Sequence, residues 1–136
     1  MAELFSLYAI AMLLGGMVFF SFVFSPLIFI NLPAETAGPF IRRVFPWYFL
    51  MVAVLFIVAA GALAPFAPFW AVIAGIMALL GIANRQLLMP WINRLRDAQI
   101  AGDAAAGKKF DLLHKASVAI NFVQMIAAAI LLWQFG

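Results

Sequence analysis

His114, Ser117, Asn121 and Gln124 recur at helical spacing along the last, nearly charge-free stretch of the chain. On a wheel of about 100° per residue they fall within about 80° of one another, and they climb about 15 Å at 1.5 Å per residue. Such a ladder offers an imidazole that can exchange a proton near neutral pH, a hydroxyl, and two carboxamides that both donate and accept. The residues expected to face it are Asn84 and Arg85, with Arg42 and Arg43 approaching from another segment. Together these eight describe a cationic, hydrogen-bonding vestibule able to bind or pass a small solute, an anion or a proton. Asp111 and Lys115, four residues apart, read as a surface helix pair beside it.

The elements that hold these residues follow from where charge is missing. Hydrophobic residues make up 68% of the 136-residue chain and charged ones 10%, proportions that a soluble core of this length neither needs nor hides. Uncharged runs at 4–34, 44–84 and 116–136 have room for one, two and one membrane helices, the middle run being broken at Pro65-Phe66-Ala67-Pro68. The expectation is an all-α membrane protein, a four-helix transmembrane bundle in one domain over 1–136, with spans at about 4–32, 42–64, 69–89 and 111–134.

All eight Lys and Arg lie at 42–43 or between 85 and 115. Four spans put both segments on one side, and the positive-inside rule makes that side the cytoplasm, with both termini and the Pro65 hairpin outside a cytoplasmic membrane. Trp47, Tyr48 and Trp91 then fall at the inner interface, and Tyr8, Trp70 and Trp133 at the outer one. Acidic Glu3 and the length of the first apolar run argue for a retained helix, not a cleaved secretory signal.

Two details shape the spans. Pro26 and Pro90 should each kink or restart a helix, the first near Ser25. Over residues 87–100, Leu88, Trp91, Ile92 and Leu95 oppose Asn93, Arg94, Arg96 and Asp97, a short interfacial amphipathic helix following the third span. Residues 101–107 read as a flexible inner loop. In span three, Ala71, Ala74, Gly75, Ala78, Gly81 and Arg85 share one stripe that lets another helix come close, within the bundle more readily than in a homodimer.

Much chemistry is excluded. With no cysteine and one histidine, the chain supplies neither thiolate nor bis-imidazole ligation, and its methionines are scattered, so no metal or cofactor is expected. Topology and anionic lipid account for the basic residues without nucleic acid. No catalytic motif is present, and an enzyme is not expected.

Gly15-Gly16-Met17-Val18-Phe19-Phe20, Ser25-Pro26, Ala37-Gly38, Arg42, Arg43 and Phe45-Pro46-Trp47-Tyr48 resemble the first half of the transmembrane-protein-205-like family, domain of unknown function 4149. Asn84, Pro90 and the run Phe110-Asp111-Leu112-Leu113-His114-Lys115-Ala116-Ser117 leading to Asn121 are similar to its second half, which carries a Phe-x-x-Leu-His-x-x-Ser-x-x-x-Asn pattern. The resemblance implies a membrane bundle and brings no reaction. It implies that Asn84, Pro90, His114, Ser117 and Asn121 stand at the family's motif positions.

Three functions fit these residues: the vestibule protein, binding or passing a small solute; a structural or assembly subunit, with a membrane partner or a second copy; and an enzyme acting on a lipophilic substrate, with His114 as acid or base. In each the bilayer itself is the surrounding partner.

Overall fold

Lipid leaves backbone groups no partner but the chain itself, so each apolar run closes its own hydrogen bonds as helix. In the computed structural model, which describes all residues from Met1 to Gly136, four helical runs of 30 to 33 residues do this: Ala2–Asn31, Ala34–Leu63, Pro68–Ile100 and Ala104–Phe135. At 1.5 Å per residue they are about 45–50 Å long, more than a hydrocarbon core of about 30 Å requires. The surplus lies mainly at the charged end, where span two starts at Ala34 and not near 42.

The spans are built from six α-helices: α1 (Ala2–Phe19), α2 (Ser25–Asn31), α3 (Ala34–Leu63), α4 (Pro68–Ala83), α5 (Met89–Ile100) and α6 (Ala104–Phe135). Two π turns, Phe20–Phe24 and Asn84–Leu88, join α1 to α2 and α4 to α5. Their cause is local. Pro26 and Pro90 have no N–H to continue the ladder, and the residue before each reaches one position further back, Ser25 N–H to Phe20 O and Met89 N–H to Asn84 O. The kink expected near Ser25 is therefore a wound-in extra residue that keeps the helix continuous.

Successive spans pack side by side and the first closes on the fourth, giving an up-down-up-down ring. Ile10, Leu13 and Met17 meet Val52, Phe56, Ala128 and Leu131 in the half away from the cations, all of them buried. Ala74, Ala78 and Gly81 are buried, and Ala53 Cβ of α3 stands 3.6 Å from where a Gly81 side chain would begin, so the small-residue stripe serves the bundle itself. Gly75 has no neighbour within 4 Å and takes no part in that close approach. Outward-facing Val54, Ile57, Val72, Leu79 and Ile126 are exposed and meet the bilayer.

Three expectations need correction. The segment 101–107 is no flexible loop: only Ala101, Gly102 and Asp103 interrupt the helices. Gly102 takes a left-handed φ of 107°, Asp103 caps α6 through Ala106 N–H at 3.2 Å, and Gln99 packs against Gly107 so closely that a Cβ there would lie 2.7 Å from its Nε2. Tyr48 is not an interface residue; it is 5% exposed, one helical step from Trp47, which is 72% exposed. Asp111 and Lys115 form no ion pair; the pair present joins Arg42 to Asp97.

Gln124 is fully buried at mid-span, donating from Nε2 to Met77 O at 2.8 Å while its Oε1 accepts nothing. One good bond with one orphaned acceptor nearly cancels. Gln124→Met should therefore change stability by less than about 1 kcal/mol in thermal unfolding in detergent; a loss of about 2 kcal/mol or more would mean that Oε1 has a partner of its own.

Candidate functional site

The ladder on α6 turns out to face two neighbours. Ser117 and Gln124, seven residues apart, share one line and look at the third span; His114 and Asn121, also seven apart, share a second line about 60° away. On the first line Ser117 Oγ donates to Asn84 Oδ1 at 2.7 Å and Asn84 Nδ2 reaches Ser117 O at 3.5 Å, both residues buried. Asn84 opens the second π turn, so the extra residue that answers Pro90 also sits where this clasp is made. These contacts join helices.

The second line lines a cavity. Asn121 accepts from Tyr48 OH at 2.6 Å and donates from Nδ2 to Ser21 Oγ at 3.1 Å, tying spans two, four and one together at the depth of the first π turn. The Tyr48 ring stacks on Phe20 at 3.9 Å between centroids, and Phe45 meets Phe20 edge-on at 5.5 Å. A carboxamide that accepts from a phenol at its oxygen and donates to a hydroxyl from its nitrogen is fixed in orientation, and the aromatic rings around it restrict Tyr48 further.

Toward the charged end the lining becomes cationic. Arg42 Nη1 pairs with Asp97 at 2.8 Å and its Nη2 reaches Asn93 O at 3.4 Å. Arg96 lies over the Phe110 ring at 5.1 Å and donates to Gln99 Oε1 at 2.9 Å, while His114 stacks on the same Phe110 ring at 5.6 Å and 5°. The amphipathic segment thus has its polar side, Asn93, Arg96 and Asp97, turned to the mouth of the cavity and to Arg42.

The space so enclosed is about 450 Å³, within the range of small-molecule sites, roughly 300–1,000 Å³. Of the eight residues expected to form a vestibule, Arg42, His114, Ser117 and Asn121 line it. Asn84 lies behind Ser117, and Gln124 is higher in the core. Arg85 is spent on Pro46 O at 2.9 Å and Gln86 Oε1 at 2.7 Å, and Arg43 is exposed outside. Ser21, Ser25, Tyr48, Asn93 and Arg96 add further polar lining and were not among the expected site residues. Tyr48 resembled an interface anchor and Arg96 a solvated charge. Pro26 and Pro90 were the available signal for the π turns, though not for what they face.

Four helices with apolar outer faces, around an interior packed at one end and hollow at the other, define a multi-pass helical membrane protein. The chain belongs to the family described as Domain of unknown function (DUF4149), whose model matches residues 8–101. That stretch includes Ser21, Arg42, Tyr48, Asn84 and Arg96 and stops short of His114 and Asn121. Comparison with curated proteins and with solved structures found no match.

Proposed function

We propose that this chain is a binding protein of the cytoplasmic membrane that holds a small organic anion in the vestibule at its charged end, which the positive-inside rule assigns to the cytoplasm. On the same reading it is one of the transmembrane-protein-205-like proteins, its motif residues being divided between the interhelical clasp and the vestibule wall. The observation that carries the proposal is the cavity itself, with Arg42, Arg96 and His114 at its mouth and the Tyr48–Asn121–Ser21 network at its depth. Guanidinium groups recognise carboxylate or phosphate, and the stacked rings suit an apolar or aromatic body.

Binding is favoured over passage by what lies beyond the network. Past Asn121 the bundle is filled by Met17, Val52, Phe56, Ala128 and Leu131, all buried, so the polar path ends about halfway. An ion or proton would meet packed apolar side chains there.

The test is equilibrium binding of 2-naphthoate, an aromatic carboxylate, to protein in phosphatidylcholine nanodiscs, read by thermal shift. Saturable binding is expected, weakened at least tenfold, about 1.4 kcal/mol, by Arg42→Gln and by Asn121→Leu. Absence of saturable binding, or equal affinity in folded variants, rejects the proposal.

A further inference from the structure

We infer that the vestibule takes its ligand from the bilayer, through a lateral opening between the first and fourth spans, and that the ligand is a single-tailed amphiphile with one anionic head. The inference rests on the binding role proposed above and adds the route and the class of ligand.

The opening is built into the backbone. Above the first π turn α1 packs on both α3 and α6, but below it α2 packs on α3 and makes no comparable packing on α6. The wall left between them consists of Phe22, Phe29, Val118 and Phe122, which line the cavity and are 40–57% exposed. No second layer of buried side chains backs them, since none of the four is buried. Phe22 and Phe122 meet edge to face at 6.2 Å between centroids, and no other aromatic pair bridges the lower gap. Phe122 stands near the middle of α6, so what lies outside it is hydrocarbon, not water.

The interior fits something that arrives from hydrocarbon. From Phe122 to Phe110 the cavity follows α6 for about 18 Å at 1.5 Å per residue. Along that length the lining changes from Phe20, Phe22 and Phe122 around the Ser21–Asn121–Tyr48 network to Arg42, Asn93, Arg96 and His114. Asp97 pairs with Arg42 while Arg96 has no carboxylate partner, which leaves one uncompensated guanidinium at the mouth for an anionic group to complement. A zwitterionic head would place its cation against Arg96. The Phe22 and Phe122 rings close this wall by their contact, and turning either ring aside opens a gap one side chain wide, enough for one tail.

The first π turn connects both features. Its extra residue keeps Ser21 aimed at Asn121 while α2 departs from α6, so the point that orders the polar floor of the cavity is also the upper edge of the opening.

The test uses the wild-type protein in phosphatidylcholine nanodiscs with hexadecanoate bearing a terminal diazirine, photolysed and mapped by peptide mass spectrometry. Labelling of Phe22, Phe29 or Phe122 is expected at least fivefold above that of lipid-facing Val72 and Leu79. A quaternary-ammonium amphiphile with the same tail should lose that preference, and so should the Arg42→Gln/Arg96→Gln variant. A water-soluble diazirinyl benzoate separates the two ideas. If the benzoate labels the cavity while hexadecanoate labels all outward faces alike, entry from the bilayer is overturned and the vestibule stands. If neither labels the cavity, both readings fall, and if head charge makes no difference the assignment of an anion is wrong.

Discussion

Gly81→Leu should cost the protein about 3 kcal/mol or more, enough to prevent recovery of a folded bundle from detergent, whereas Gly75→Ala six residues earlier should leave thermal unfolding unchanged. A side chain at Gly81 would begin 3.1 Å from Gln124 Nε2 and 3.6 Å from Ala53 Cβ, with Ala53 Cα at 3.7 Å behind it. Gln124 could yield, but the α3 backbone could not, and a Leu side chain would force spans two, three and four apart. In lipid the association of helices relies on close van der Waals contact, which this separation removes over several turns. Gly75 faces open space. Equal yields and melting temperatures for the two variants would show that the close approach at Gly81 contributes little.

Ser117→Ala should destabilise more than Asn84→Leu does, although both remove the same side-chain hydrogen bond, Ser117 Oγ to Asn84 Oδ1 at 2.7 Å. Without Asn84, the hydroxyl can turn to the carbonyl one turn back on its own helix, so the loss is close to the usual interhelical bond in membranes, about 0.6 to 1.7 kcal/mol. Without Ser117, the Asn84 carboxamide remains fully buried with an oxygen that has lost its donor, and a buried unsatisfied group costs about 1–3 kcal/mol. The Asn84→Leu/Ser117→Ala pair should then be no worse than Ser117→Ala alone. Thermal unfolding of the three variants in one detergent decides it, and the opposite order would mean that Asn84 has another partner.

The first prediction concerns the packed half of the bundle and the second the clasp behind the vestibule wall, and both bear on the hollow half. Gly81, Asn84 and Gln124 set how deeply the third and fourth spans engage, and that register delivers Asn121 to Tyr48 and Ser21. A loosened register would displace the floor of the vestibule before it touched any residue at the mouth.

Reading the two halves from sequence had unequal success for a physical reason. The ladder His114, Ser117, Asn121 and Gln124 was legible because polar groups in an apolar run are few and their spacing is helical. Its division between two neighbours was not, because a stripe about 80° wide can meet one helix or two, and only the positions of the other helices distinguish these. Tyr48 illustrates the same limit: next to Trp47 in the chain, it suits an interface until packing turns it toward Asn121.

What the sequence determined by itself is whatever depends on contact with the solvent: four apolar runs long enough to cross a bilayer, their helical state, the breaks at Pro26 and Pro90, and the gathering of the basic residues at one end of the bundle. Solvent acts on every residue separately, so composition and period carry the information. The tertiary structure alone decided that the upper half closes around Leu13, Val52 and Phe56, and that the lower half opens around Arg42, Tyr48, Arg96 and Asn121. A cavity belongs to no residue; it exists where α2 and α6 fail to meet, and that distance is set by the packing of all four spans together.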